Sequence, residues 1–217
     1  MRRPSAVRRG QTPLEVAVNA FSRPGEIPAP PNPENCRQCA AAGPTCCSLT
    51  PGHEDLCFPI SEMERHRIAE HVGLSLGAFT PEANSGAFLS CMRRLFPREG
   101  KLVESLFPKG GRHLRLSVTP EGHCVFLRDD GCRLPREARP YYCRLFPFWM
   151  TDGRVTAFAA AGCLVHRQGR TVAGMLALLV ATEGQVRDLH GRLRLAWGLP
   201  PQEGMPAVTP APARFGT

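Results

Sequence analysis

Residues 124–147 read CVFLRDDGCRLPREARPYYCRLFP, and the fold turns on how this stretch is punctuated. Val125-Phe126-Leu127 is a short apolar run of the kind that makes a strand. Asp129-Asp130-Gly131 is a tight-turn signal that returns the chain toward Cys132. Just upstream, Leu114, Leu116 and Val118 alternate with polar neighbours, which predicts another short strand before the turn at Pro120-Glu121-Gly122. Cys124, Cys132 and Cys143 fall at the ends of these pieces, so they belong to loops and short elements.

Outward from there, Ser61 followed by Glu64 is a capping-box pattern. Met63, Ile68, Ala69 and Val72 then supply an apolar face, so a helix is expected over 61–72. A weaker helix is expected over 83–95, and a third strand through Val155, Ala157 and Phe158. Val172, Met175, Leu176, Leu179, Val186, Leu189 and Leu193 recur near helical spacing, which predicts one long covering helix. The expected fold is α+β: a small irregular domain with short antiparallel strands, a few helices and metal-binding cysteine loops. Residues 1–34 end in Pro28-Ala29-Pro30-Pro31-Asn32-Pro33 and are expected to be a flexible lead-in. The cysteine-cluster domain is expected over 35–198, and 199–217 read as a disordered Pro/Ala-rich tail.

The chain has 217 residues and ten cysteines, a share well below that of small disulfide-stapled secreted scaffolds. Arg2, Arg3, Arg8 and Arg9 are basic, but Gln11, Thr12, Pro13, Glu15 and Asn19 interrupt the apolar stretch a secretory signal needs. A cytoplasmic setting is therefore expected, where cysteines serve as ligands or redox groups before disulfides. The longest apolar stretch, 172–182, is far short of the ~20 residues that span a bilayer, so no membrane partner is expected. Formal charge is +8, carried almost wholly by arginine, since Lys101 and Lys109 are the only lysines. That charge permits nucleic acid as a partner, but the cysteine pattern ranks metal well ahead of it.

Eight of the ten cysteines fall in two clusters: Cys36, Cys39, Cys46 and Cys47, then Cys124, Cys132, Cys143 and Cys163. Cys36-Arg37-Gln38-Cys39 reads as a short knuckle whose sulfurs converge, and thiolates suit zinc or iron–sulfur centres. Cys46 and Cys47 are adjacent, and neighbouring side chains of an extended chain point to opposite sides, so the pair is expected to divide its roles. The second cluster has gaps of seven, ten and nineteen residues, which only a fold can close. These spacings match neither ferredoxin pattern nor paired zinc knuckles, so two four-ligand sites and one site with spare thiols both stay open. Arg37, Arg133 and Arg144 directly follow cysteines and Arg139 is close by; guanidinium groups there would favour thiolates. Cys57 and Cys91 read as small buried hydrophobes. His123 and His166 adjoin cysteines but read as surface or core histidines.

The text Cys124-Val125-Phe126-Leu127, Gly131-Cys132, Arg139-Pro140, Cys143-Arg144-Leu145-Phe146-Pro147 and Cys163, with the opening cluster that ends in adjacent cysteines, resembles the bacterial YkgJ-type cysteine-cluster family. That family is described as zinc- or iron-chelating. The likeness spans about Cys36 to Gly169 and departs from the family at Leu134-Pro135, where this chain is one residue longer before Arg139. The resemblance implies Cys36, Cys39, Cys47, Cys124, Cys132, Cys143 and Cys163 as ligands, with Cys46 the less secure member of its pair.

The leading expectation is a metal-binding protein that chelates zinc or an iron–sulfur cluster through its thiolates. Alternatives are an iron–sulfur-dependent redox or protein-modifying enzyme, and a basic nucleic-acid-binding module using Tyr141, Tyr142, Phe146, Phe148 and Trp149. That aromatic run is apolar enough to be core, and core is the preferred reading. No glycine-rich nucleotide loop follows a strand. No catalytic residue and no protein partner can be named from the sequence.

Overall fold

A computed structural model of the chain describes residues 34–43, 45–54, 57–72, 77–160 and 162–201, without the side chains of residues 34–36. The expected lead-in lies outside these residues except for Glu34, and so does the expected tail beyond Pro201. Among the described residues, eight helices and three two-stranded antiparallel sheets make an α+β fold, as expected.

The first helix, α1 (Glu34–Ala42), carries the C-x2-C pair, which is a helical turn where a knuckle was expected. Next comes α2 (Glu62–Val72), opened by the capping box read from the sequence. Glu64 N–H donates to Ser61 Oγ at 3.3 Å, and Ser61 N–H and Oγ–H donate to Glu64 Oε2 at 3.0 and 2.7 Å. The reciprocal bonds satisfy donors that a helix start leaves unpaired. Ile68, fully buried on α2, packs with Ala78, Phe126 and Leu134 in a small core beside the cysteine loops.

Strand β1 (Phe79–Ala83) pairs antiparallel with β2 (Arg112–Leu116), Phe79 opposite Leu116. Between them lie α3 (Gly86–Leu95) and α4 (Gly100–Leu106). The helix expected over 83–95 thus starts later, because Ser85 caps it by accepting from Phe88 N–H and the residues before it are drawn into β1. Beyond β2, Val118 bridges to Cys124, and β3 (Leu127–Arg128) turns into β4 (Gly131–Cys132). Helix α5 (Tyr141–Leu145) leads into the hairpin of β5 (Phe148–Thr151) and β6 (Arg154–Ala157). Asp152 and Gly153 at its tip have φ of 47° and 73°, the paired positive values of a two-residue hairpin turn.

The covering helix is broken. It comprises α7 (Val172–Leu178) and α8 (Glu183–Ala196), preceded by the short α6 (Leu164–Gly169). Thr182 and Gln185 form a second capping box, and Val180 takes a φ of 49°, so helical hydrogen bonding stops between them. The apolar period ran through this break because both helices face one core. That main core gathers Phe88, Phe96, Phe107, Leu145, Trp149 and Leu193 among others, and it reaches Leu199, one residue past the expected domain end. Pro147, Phe148, Trp149 and Met150 are all buried, so most of the aromatic run after Cys143 is core. Among the described residues, no helix is long and apolar enough to cross a membrane.

Candidate metal centre

Cys39, Cys46, Cys47, Cys57, Cys124, Cys132, Cys143 and Cys163 all line one cavity of about 290 Å³. They reach it from seven separate points along the chain. None of the nine cysteines with described side chains forms a disulfide. The side chain of Cys36 lies outside the described residues, although its backbone belongs to α1.

Hydrogen bonds and packing hold these points together. Cys124 N–H donates to Cys47 O at 2.8 Å, and Leu49 N–H donates to Gly122 O at 2.8 Å, laying the first cluster against the second. Cys46 and Cys47 sit in a turn, with Cys47 N–H bonded to Thr45 Oγ1 at 3.0 Å, and the turn brings both to the cavity. This corrects the expectation of opposed side chains, which assumed an extended backbone. Cys132 enters on β4, and Cys163 stands immediately before α6. Helix α1 packs against both β4 and α6, so Cys39 arrives beside the ends that carry them.

Cys143 is placed by α2. Glu64 Oε1 accepts from Tyr141 N–H at 2.7 Å, securing the first turn of α5. Arg67 Nη2 donates to Arg139 O at 3.0 Å, and its guanidinium lies 4.4 Å from the centre of the Tyr141 ring. Arg139 in turn donates from Nε to Leu134 O at 2.9 Å and from Nη2 to Cys132 O at 3.1 Å. One arginine therefore ties the Cys132 loop to the segment that begins α5. Of the four arginines near cysteines, Arg139 is the one that lines the cavity.

The electrostatics follow from this geometry. Ile60, Leu116, Phe126, Leu134 and Phe146 are among the apolar walls, so burial disfavours thiolates. Burial pushes the Cys124 thiol up to about 12 and raises Cys132 against the opposing pull of Arg139. Cys143 is also pushed well up, chiefly by burial, with the charges of Cys47, Cys124 and Cys132 adding to the effect. Cys47 goes the other way, to about 7, because the Cys46 side chain hydrogen-bonds to it, with further help from Arg139 and Thr45, despite burial.

His123 and His166 do not line the cavity; His123 Nδ1 instead pairs with Ser48 Oγ at 3.0 Å. Cys91 lies on α3, partly buried, and does not line the cavity. Cys57, expected as packing, joins the other thiols. Among the described residues, no group of three or more Cys, His, Asp or Glu side chains forms a ready metal-binding set as placed. A larger recess of about 450 Å³, near Arg98, Trp149 and Asp152, has no cysteine in its lining. Among its charged side chains, Arg98 pairs with Asp152 at 2.9 Å, and Glu99 with Arg194.

The donor set has the chemistry a thiophilic metal requires. Sulfur ligands are soft, the walls are largely apolar, and the Arg139 guanidinium offsets part of the negative charge that thiolates accumulate. Compared with models of known families, with curated proteins and with solved structures, the chain matches none.

Proposed function

We propose that this protein binds a thiophilic metal, as an iron–sulfur cluster in preference to a single zinc ion, through the cysteines that line its one thiol-rich cavity. The observation that carries this reading is the convergence of eight thiols from seven points of the chain. The motif resemblance to the YkgJ-type family points to six of these eight, Cys39, Cys47, Cys124, Cys132, Cys143 and Cys163. Cys36 joins them as a candidate through its place on α1, one turn before Cys39.

The preference for a cluster rests on size and number. A structural zinc is closed by four ligands and leaves little room around it. Here eight thiols surround a volume on the order of ten water molecules' share of the liquid. A cluster bound there would supply one-electron or Lewis-acid chemistry. The chain's own residues would orient it, surround it with largely apolar walls and balance charge with Arg139.

The test is anaerobic purification with assay of iron, zinc and acid-labile sulfide, and a visible spectrum. Iron with sulfide and broad absorption near ~400 nm, where thiolate-bound clusters absorb, is the expected result. Colourless protein with stoichiometric zinc would replace the cluster by a zinc site. Protein that retains neither metal after reconstitution would overturn the reading.

A further inference from the structure

Resting on that metal reading, we propose that Cys57 is an additional thiolate ligand of the same centre, which neither cysteine cluster nor the family likeness assigns. Alone among the eight cavity cysteines, it belongs to neither cluster. Three observations place it there.

The first is its position in the cavity lining, where Cys124 and six other cysteines also stand. The second is the stiffness of its mounting. Cys57 N–H donates to Glu54 O at 3.0 Å. The next residue, Phe58, stacks face to face on Tyr142, centroids 4.4 Å apart and planes within 2°. Phe58 also meets Trp149 edge-on at 6.1 Å, and Ile60 N–H donates to Leu114 O at 2.7 Å. The segment is thus pinned to α5 and β5 on one side and to β2 on the other, which is how a ligand is held ready before metal arrives. The third is the contrast with Cys91, the other cysteine outside the clusters, which sits on α3 and does not line the cavity.

Tyr142, whose ring supports Phe58, belongs to α5 beside Cys143. Phe58 and Tyr142 therefore link two donors from distant parts of the chain, Cys57 and Cys143, through one stacked pair. The stacked pair thereby holds both cysteine-bearing segments at the one cavity that Cys57 and Cys143 line.

The test uses the full chain, loaded anaerobically either with zinc or with iron and sulfide, and treated with a thiol alkylating reagent before and after chelation. Labelling at each cysteine is read by peptide mass spectrometry. Cys57 should be protected in the loaded protein alongside Cys124 and Cys132, and become labelled on chelation, while Cys91 labels alike in both states. Cys57→Ser should lose metal to a chelator at least about tenfold faster than the parent, and Cys91→Ser at the parental rate. Labelling of Cys57 at one rate in both states, with Cys124 and Cys132 protected, would overturn the Cys57 proposal and leave the metal reading standing. Absence of metal-dependent protection at every cysteine would overturn both.

Discussion

Tyr141 donates its backbone N–H to Glu64 Oε1 at 2.7 Å, joining residues 77 apart in sequence. The same carboxylate accepts from Ser61, so one buried side chain, 2% exposed, caps α2 and fastens the start of α5. Glu64→Gln replaces an acceptor by a donor and should cost about 2 kcal/mol, typical of a lost charge-assisted bond. Glu64→Leu strands the Ser61 and Tyr141 donors and should cost more. Urea unfolding checks both values, and Cys143 should be the cysteine whose alkylation rate rises most in the native variants.

Arg139 spans two cysteine-bearing segments by donating to the Leu134 and Cys132 carbonyls. Lysine cannot copy this planar fork, so Arg139→Lys should fail almost as fully as Arg139→Ala. Either substitution should destabilise the protein by roughly 2 kcal/mol and lower metal content per chain. Metal content in Arg139→Lys equal to the parent would show that charge alone matters at this position.

His190, 1% exposed on α8, lies edge-on to Trp149 with centroids 4.8 Å apart. Burial, with Arg194 nearby, lowers its pKa from 6.5 to about 4. The unfolded chain therefore takes up a proton at this residue between pH 6.5 and 4 while the folded protein does not. Stability is full above about pH 6.5 and declines as pH falls toward 4, by up to about 3 kcal/mol from this group. His190→Leu should remove that part of the pH dependence. Urea midpoints measured at pH 7.5 and 4.5 for parent and variant check it.

Gly122 has a φ of +86°, and a Cβ there would stand 2.1 Å from Leu49 O. The clash falls on the backbone pairing that lays Cys47 against Cys124. Gly122→Ala should cost roughly 3 kcal/mol or more. It should also reduce metal retention, whereas Gly43→Ala, with open space around its Cβ position, should keep metal despite its own positive φ.

Local chemistry was the readable part of this chain. The Ser61–Glu64 cap and the turn after Asp129 depend on neighbours within a few residues, and both formed where their patterns stood. The β5–β6 hairpin carried its own signal in Asp152-Gly153, which went unread because Phe148-Trp149-Met150 looked only like core. The break between α7 and α8 was masked by an apolar period that both helices share. Cys57 could not be recognised from spacing, since its place at the cavity depends on Phe58 meeting Tyr142 and Ile60 meeting Leu114. The two clusters advertised most of the thiols, but their common destination is a property of the tertiary fold.

The spread of the cavity cysteines, from Cys39 to Cys163, sets an order of events. A local knuckle can capture an ion while the rest of a chain is still a coil. Here the sulfurs meet only after β3 has turned locally into β4, α2 has received α5 and α1 has docked on α6, the last two each a closure of a long loop. On the proposed metal reading, assembly of the polypeptide therefore precedes delivery of the metal. The main core, built around Phe88, Trp149 and Leu193, gives the chain a way to stand while it waits.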